Sequence, residues 1–326
     1  MAVVFCVITM LCWGSWANTQ KLASKKWPFQ LFYWDYAIGI VLLTSVLAFT
    51  LGSSGTGGRP FLDDLSQANT SSLASALWGG VVFNFANLLL VIAIDIAGMA
   101  IAFPVGIGLA LVIGVITNYL QQPTGNPVIL FTGVLLVVFA IILDAIAYTH
   151  ILDKKQQKPV KGIVISLIAG VAMGFFYKYV AQSMATDFQY PEVGKLTPYT
   201  ALVIFSTGLF VSSFLFNTFN MYRPLTGEAV KFSDYLKLGD SRLHLIGILG
   251  GAIWGIGMSF NILASEQAGP AIAYGLGQGA TLVAAFWGVF VWKELAALPA
   301  KKNGLIYLMF ASFILGLAFI IYSRHS

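Results

Sequence analysis

Ten separate stretches of about twenty apolar residues divide this sequence, and each is long enough to cross the hydrocarbon core of a bilayer as a helix. The stretches cover residues 2–20, 30–51, 72–94, 98–120, 127–151, 161–180, 198–221, 242–265, 270–292 and 303–323. Only 10% of the residues are charged, against roughly 25% in average soluble domains. This pattern excludes a soluble enzyme, a disordered chain and a nucleic-acid-binding module. It predicts an all-α polytopic membrane protein with ten transmembrane helices, here called spans 1 to 10, in a lipid bilayer.

The positively charged residues are distributed unequally between the two sides of the predicted bundle. Fourteen lysines and arginines lie in the loops that follow spans 1, 5, 7 and 9, and four lie on the other side. Because cytoplasmic loops carry the excess of lysine and arginine, both termini are predicted to be non-cytoplasmic. The net charge of +5 is therefore an orientation signal for an integral protein of the plasma (inner) membrane, and nucleic acid is not an expected partner.

Spans 3 and 4 resemble spans 8 and 9 when the sequence is shifted by 171 residues without a gap. The matched positions are Gly79-Gly80 with Gly250-Gly251, Asp95 with Glu266, and Gly106-x-Gly108 with Gly277-x-Gly279. Since five spans separate the two copies, the second copy is predicted to be upside down. The expected units are a first five-helix repeat at 1–152, a short cytoplasmic linker at 153–160 and a second, inverted five-helix repeat at 161–326. Inverted repeats are typical of secondary transporters, whose substrate site lies near the bilayer midplane.

Several motifs resemble those of a known family. They are Trp13-Gly14-Ser15-Trp16, Asp35-Tyr36, Gly79-Gly80, Asn87-Leu88, Gly250-Gly251-Ala252-Ile253-Trp254-Gly255, Asn261, Ala268-Gly269-Pro270-Ala271 and Tyr274-Gly275-Leu276-Gly277-Gln278-Gly279. With these motifs the chain is similar to the ureide permeases, in the drug/metabolite transporter superfamily, beside the rhamnose and glucose porters. The resemblance implies ten helices in two inverted five-helix halves and proton-coupled uptake of ureides such as allantoin or nucleobases such as uracil. Plant members carry a long segment between spans 5 and 6, whereas here about ten residues connect them, which suggests a bacterial relative.

Polar and aromatic side chains inside the spans are the candidate substrate ligands, because an unpaired amide or hydroxyl in hydrocarbon costs several kcal/mol. A planar ureide or nucleobase needs donors and acceptors along its edge, which amides supply, and an aromatic ring against its face. The candidates are Trp13, Trp16, Asn84, Asn87, Trp254, Asn261, Tyr274 and Gln278. The alternative for each amide is a hydrogen bond that bridges two helices, and the alternative for each tryptophan is the membrane interface.

Proton coupling requires a titratable group within the spans. Asp35 lies roughly two turns inside span 2, where a charged carboxylate costs about 2.5–3.5 kcal/mol. We predict that Asp35 carries the coupling proton, with an ion pair to Lys21 or Lys25 as the alternative. Glu266 is the second candidate, and it and Asp95 are predicted to occupy equivalent helix ends in the two repeats. The proton gradient is the only coupling agent expected; no cofactor or metal is predicted, because the three histidines lack metal-ligand spacing.

Together these features predict a secondary active transporter that carries a small polar metabolite by alternating access. The resemblance favours ureides or nucleobases as the substrate. A sugar porter of the rhamnose and glucose type is the alternative, since sugars also stack on tryptophan and bind amides, and a passive facilitator is the third possibility. An enzyme is not predicted, because the spans contain no converging nucleophile, paired carboxylates or metal ligands. The expected partners are the small-molecule substrate and the bilayer, with homodimer formation left open.

Overall fold

The structure is a computed structural model that describes residues 1–23, 26–54, 58–97, 99–150, 159–293 and 295–324. Helices account for 82% of it, and the described residues contain no β-strand, only one isolated bridge between Met184 and Leu196. The all-α prediction is therefore confirmed. Residues 153–158 of the predicted linker lie outside the described residues.

Fourteen α-helices follow one another along the described part of the chain. They are α1 Ala2–Ser15, α2 Ala17–Ala23, α3 Phe29–Phe49, α4 Phe61–Gln67, α5 Thr70–Ala97, α6 Met99–Gln121, α7 Pro127–Thr149, α8 Pro159–Ser183, α9 Pro198–Tyr222, α10 Phe232–Leu238, α11 Ser241–Ala268, α12 Pro270–Gly277, α13 Ala280–Phe286 and α14 Asn303–Tyr322. Within these residues, nine helical segments are long and apolar enough to cross a membrane, and α6 adds a shorter apolar stretch, Val105–Gln121. The prediction of a multi-pass integral membrane protein is thus confirmed.

Proline and glycine set several of the helix ends. Proline is the first residue of α7, α8, α9 and α12. The fixed φ of proline suits the first helical position, and a backbone N–H there would have no intrahelical acceptor in any case. Gly269 alone separates α11 from α12, and its φ of +80° is one that favours glycine. Gln278 and Gly279 separate α12 from α13, so the predicted span 9 is not one continuous helix.

Two glycines allow close approach between helices from different halves of the sequence. α5 packs against α9, and α3 packs against α11. A Cβ atom added to Gly80 would lie 2.8 Å from the backbone nitrogen of Leu209, and one added to Gly251 would lie 2.9 Å from that of Ile40. Both distances are too short for a real side chain, so the two crossings require glycine. The 171-residue shift superimposes these two glycines.

Two seven-residue helices, α4 and α10, lie outside the predicted spans. α4 follows α3, and α10 follows α9. The 171-residue shift carries α4 onto α10 with both ends in register. α4 is joined to Thr197 at the start of α9, whereas α10 contacts Asp35 near the start of α3, so each short helix meets the beginning of a long one.

Candidate functional site

Three of the predicted ligands lie together around two tyrosines of α3. The Tyr33 hydroxyl donates a hydrogen bond of 2.7 Å to Oδ1 of Asn84 and accepts a longer one, 3.4 Å, from Nδ2 of Asn87. The Tyr36 ring centroid lies 5.5 Å from that of Tyr33 and 4.8 Å from that of Trp16. We call these five residues the amide–tyrosine cluster. The sequence indicated both asparagines and Trp16 but not the tyrosine that joins the amides.

The amide–tyrosine cluster contains hydrogen-bonding groups that the described protein atoms leave unused. Asn84 is fully engaged, because its Nδ2 also donates to Oγ of Ser212 over 2.7 Å. Asn87, in contrast, makes only its long bond to Tyr33 within the described residues. The Tyr36 hydroxyl is buried and has no hydrogen-bond partner among them. A buried polar group without a partner costs free energy, so a substrate that bonded to Asn87 and Tyr36 would recover it.

A column of aromatic rings adjoins this cluster. The Trp254 ring is nearly parallel to the rings of Trp13 and Phe205, at 14° to each, with centroid separations of 5.8 Å and 5.9 Å. Nε1 of Trp13 donates to the Trp254 carbonyl oxygen over 3.2 Å. Phe83, the residue before Asn84, lies 4.5 Å from the Trp254 ring and so connects the column to the cluster along α5. Trp254 is only 4% exposed and packs within the bundle, which does not fit the alternative of an interfacial tryptophan.

The remaining three predicted ligands lie where α11, α12 and α13 meet, apart from the amide–tyrosine cluster. Nδ2 of Asn261 donates to the Ala273 carbonyl over 2.8 Å, and the Tyr274 hydroxyl lies 3.3 Å from the carbonyls of both Ala110 and Met173. These bonds join neighbouring helices, which is the bridging alternative for these side chains. Gln278 is buried at the interruption between α12 and α13. Interrupted helices are common at transporter sites, so Gln278 keeps its place as a candidate.

Asp35 lies in a buried group of hydrogen-bond donors near the start of α3. Nε1 of Trp27 donates to its Oδ2 over 3.2 Å, and Nδ1 of His244 lies 3.0 Å and 3.1 Å from its two carboxylate oxygens. The Tyr235 hydroxyl of α10 donates to Oδ1 in a short hydrogen bond. Asp35 itself is 1% exposed, while the His244 side chain is 25% exposed. The carboxylate is therefore buried, while its imidazole partner is partly exposed.

The partners of Asp35 were not predicted from the sequence. Lys21, one of the two lysines considered, places its Nζ 4.4 Å from the centroid of the Trp292 ring, and Lys25 lies outside the described residues. Burial and the adjacent Asp35 carboxylate raise the pKa of the Tyr235 phenol above its ordinary value, so this hydroxyl remains a donor at physiological pH. A tyrosine in a polar loop gives no sequence signal for such a role.

Glu266 lies near the other end of α11 from His244, about 33 Å away at 1.5 Å per residue. Its side chain is exposed, and Oε1 accepts a hydrogen bond of 2.7 Å from the backbone nitrogen of Phe188. The structure therefore does not bring Glu266 together with Asp35 or with the amide–tyrosine cluster. Its contact holds the loop between α8 and α9, while the side chain of Asp95 lies outside the described part.

That loop is fastened to α4 by a buried carboxylate. Asp64 has no exposed side-chain area; it accepts hydrogen bonds of 2.9 Å from Nε of Arg59 and 2.8 Å from the Thr197 backbone nitrogen. Arg59 also donates to the carbonyl oxygens of Pro191, Glu192 and Lys195. We call this set the Asp64 clasp. It joins the α3–α5 connection of the first half to the α8–α9 loop of the second.

A cleft of about 170 Å³ opens between α5 and α9. Its lining is apolar apart from Asn220, and the residues are Phe85, Leu88, Ile92, Leu215, Phe216, Phe219, Asn220 and Leu225. An apolar cleft offers few groups to a polar metabolite, whereas the amide–tyrosine cluster contains amide and hydroxyl groups. Among the described residues, no group of three or more His, Cys, Asp or Glu side chains is placed to hold a metal ion.

Comparison with known proteins gives a single family. Residues 32–161 and 151–323 match the family model described as Ureide permease. Ureide permease 1 and Ureide permease 4 of Arabidopsis thaliana are 24% and 25% identical to this chain, each alignment covering 97% of it and 95% of the relative. Probable ureide permease A3 of Vigna unguiculata is 23% identical over 82% of this chain and 89% of its own.

The fold also has a counterpart among solved structures. A chain described as "Crystal structure of protein" is similar to this one with a TM-score of 0.60, and the likeness covers 99% of this chain and 98% of the other. The sequence identity is 13%, so this likeness shows a shared fold and nothing about the substrate.

Proposed function

The chain belongs to the ureide permease family, and from this we propose that it carries ureides across the plasma membrane by proton-coupled alternating access. It is a transporter and not an enzyme. The observation that carries the proposal is the amide–tyrosine cluster, in which buried polar groups of Asn87 and Tyr36 lack good protein partners beside stacked aromatic rings. A sugar porter is not favoured, because the family model and the named relatives are ureide permeases.

A ureide offers the hydrogen-bond donors and acceptors that the unused groups of this cluster do not find among the described residues. Its planar urea unit presents N–H donors and a carbonyl acceptor on one edge, which suits the amide of Asn87 and the hydroxyl of Tyr36. The half-buried Trp16, whose ring contacts Tyr36, supplies a flat apolar surface for the face of the molecule. Trp254 and Trp13 stand behind Phe83, and we assign them to shaping the site rather than to the edge of the substrate.

We assign the coupling proton to Asp35. It is a nearly fully buried carboxylate inside a span, and the side chain of its partner His244 is partly exposed. Glu266 is left out of this proposal because it lies about 33 Å along α11 from His244 and binds a loop. The basic loops favour a cytoplasmic position for the Asp35 end, with both termini outside.

Alternating access between two inverted halves, residues 1–152 and 161–326, is the proposed mechanism. The close approaches at Gly80 and Gly251, which are 171 residues apart, support it because each crossing joins a helix of one half to a helix of the other. The matched helices α4 and α10 support it further. Rocking of one half against the other would expose the amide–tyrosine cluster to each side in turn.

Uptake into proteoliposomes tests this proposal. With an inward proton gradient, labelled allantoin or uracil is expected to accumulate above its external concentration, and collapse of the gradient with a protonophore is expected to stop accumulation. The control is empty liposomes with the same gradient. Equal uptake with and without the gradient would contradict proton coupling, and accumulation of glucose or rhamnose but of no nitrogen heterocycle would establish the sugar porter instead.

Asn87→Leu is expected to raise the dissociation constant for the transported ureide roughly tenfold, since loss of one to two hydrogen bonds costs about 1.4 kcal/mol. Thermal stabilisation of the purified protein by increasing ligand measures the constant, because a ligand that binds the folded state raises its melting temperature. Asn18→Leu is the matched control; both amide atoms of Asn18 are already used within the protein, since Nδ2 donates to the Ser15 carbonyl and Oδ1 accepts from Nε1 of Trp292. Equal affinity in the Asn87 variant and the wild type would remove Asn87 from the site.

A further inference from the structure

We propose that Tyr235 latches α10 onto α3 through the ionised Asp35, that His244 of α11 is a positioning residue for this carboxylate, and that protonation of Asp35 releases the latch. The inference rests on the proposed coupling role of Asp35 and deepens it. In this proposal, the Asp35 carboxylate both takes up the proton and holds one end of the transporter closed.

The geometry around Asp35 is that of an ionised carboxylate. Trp27 and Tyr235 are donors to it, and the imidazole Nδ1 of His244 faces both carboxylate oxygens. An ionised carboxylate only accepts hydrogen bonds, so these donors fit it without conflict. A proton added to either oxygen turns one acceptor into a donor and removes the charge that strengthens the remaining bonds. Protonation therefore weakens the attachment of α10.

α10 has few other attachments, which makes this one important. None of its residues is fully buried. Phe232 contacts the ring of Trp34 at 5.7 Å and that of Tyr222 at 6.2 Å, and the Tyr235 ring lies 4.6 Å from that of His244. A short helix with little buried area opens at low free-energy cost. The Tyr235 ring also lies 5.6 Å from that of Trp27, so the hydrogen bond from Tyr235 acts with a few ring contacts to hold α10 in place.

The other charged groups near Asp35 have different roles. Asp234 of α10 accepts from the backbone nitrogen of Lys231, and Asp240 caps α11 through the backbone nitrogen of Leu243. Lys237 of α10, Arg242 of α11 and Lys26, beside Trp27, are exposed, and Lys21 of α2 lies over Trp292. Within the described residues, the titratable side chains that hydrogen bond to the Asp35 carboxylate are therefore Tyr235 and His244.

The matched helix at the opposite end is held differently. The 171-residue shift places Asp64 of α4 on Tyr235 of α10. At the α4 end the carboxylate lies on the short helix and meets the guanidinium of Arg59, which stays charged at all relevant pH. At the α10 end the carboxylate lies on the long helix and meets the imidazole of His244 and the phenol of Tyr235. Only the α10 end combines a spanning-helix carboxylate with a histidine among the described residues.

A symport cycle follows from this difference. In the state that is open on the α4 side, with the α10 end latched, the Asp35 carboxylate binds a proton and the bond from Tyr235 weakens. α10 then moves away, and the proton and the substrate both leave into water on the α10 side. Loss of the proton restores the ionised carboxylate, which accepts the donors again and closes the latch. One proton is bound and one released in each cycle, so the charge balances.

Spin-label distances between α10 and α2 test the latch without any transport assay. Labels are placed at Leu236 on α10 and Leu22 on α2, which are 80% and 63% exposed, after both cysteines, Cys6 and Cys12, are replaced by alanine. Without substrate, in nanodiscs, a longer distance is expected to appear as pH falls from about 8 to about 5, because protonation of the Asp35 carboxylate releases the latch.

The variants give the decisive comparison. Tyr235→Phe is expected to raise the ratio of open to latched molecules about tenfold at the upper pH, because it removes one charge-assisted hydrogen bond, and to move the midpoint of the transition to higher pH. Asp35→Asn is expected to abolish the pH dependence. Tyr222→Phe is the matched control, since the Tyr222 ring also contacts α10 but its hydroxyl is not among the described hydrogen-bond partners of Asp35. A distance that ignores pH in the wild type, or responds equally in Asp35→Asn, would overturn the latch. If uptake stays proton-coupled in that case, the proposed function stands without it; uncoupled uptake would refute the proposed function separately.

Discussion

Replacing Asp35 by Asn is expected to abolish accumulation of the ureide against its concentration gradient while leaving exchange of substrate across the membrane. Asparagine has nearly the same size as aspartate and still accepts a hydrogen bond from Trp27 or Tyr235, so the fold around α3 is retained. It does not take up a proton, and a carrier without the proton-binding step only equilibrates its substrate. The loss of accumulation is therefore expected to be complete. Most substitutions in a binding site, in contrast, only reduce the transport rate or the substrate affinity.

Two assays on the same proteoliposomes separate these activities. Accumulation is measured with an inward proton gradient, and exchange is measured by loading unlabelled substrate inside and following entry of labelled substrate with no gradient. Asp63→Asn is the matched control, because Asp63 is an exposed carboxylate on α4. Accumulation and exchange by this variant should both equal those of the wild type. Full accumulation by the Asp35 variant would remove Asp35 from the coupling mechanism.

The membrane class was predictable because the relevant signal is local. A span needs about twenty apolar residues, and this requirement can be read without knowing any contact. The same reasoning placed Asp35 inside a span and marked it for function, since charge is costly there. Its partners could not be predicted, because Tyr235 and His244 are 200 and 209 residues away in sequence and nothing local links either residue to α3.

The candidate ligands show a second limit. Asn87 and Asn261 are both asparagines inside spans, and the sequence treats them alike. In the structure, Nδ2 of Asn261 donates to the Ala273 carbonyl, whereas Asn87 has only a long bond to Tyr33. An amide bridges two helices when a backbone carbonyl of the neighbouring helix lies within hydrogen-bond distance, and otherwise it is available to a substrate. Which of these holds depends on how the helices pack. The Tyr36 hydroxyl was missed for the same reason, because only the fold shows that it is buried without a described partner.

The match between α4 and α10 was not predicted from the sequence. Their residues, FLDDLSQ and FSDYLKL, are identical at three of seven positions, the first phenylalanine, the third aspartate and the fifth leucine, which is too short a match to indicate a shared helix on its own. Surface helices are constrained less by packing than spans are, so their sequences diverge while their lengths and positions persist. Once the helices are seen, the 171-residue shift that aligned the spans aligns these two as well, and it pairs the Asp64 clasp with the Asp35 latch.

Asp64→Asn is expected to lower the free energy of unfolding by about 3 kcal/mol, the low end of the range for breaking a buried ion pair, because Arg59 is 24% exposed and keeps some hydration. The amide loses the charge that pairs with Arg59. Its NH₂ group also faces a donor whichever way it is turned, since Arg59 bonds to one oxygen and the Thr197 nitrogen to the other. Denaturation in mixed micelles measures the loss. Asp63→Asn, on the exposed side of the same helix, is the control and should change stability by less than about 0.5 kcal/mol.

A loss under about 1 kcal/mol would place the Asp64 clasp among ordinary surface ion pairs and would contradict this prediction. The expected loss has a functional consequence, because the clasp joins a connection of the first half to a loop of the second, and both must separate if this end opens. Weakening it should favour the state open at the α4 end at every pH, since arginine does not titrate. The Tyr235→Phe variant should instead favour opening at the α10 end and shift its pH dependence. Opposite biases from two matched helices are what a carrier with one fixed gate and one proton-controlled gate requires.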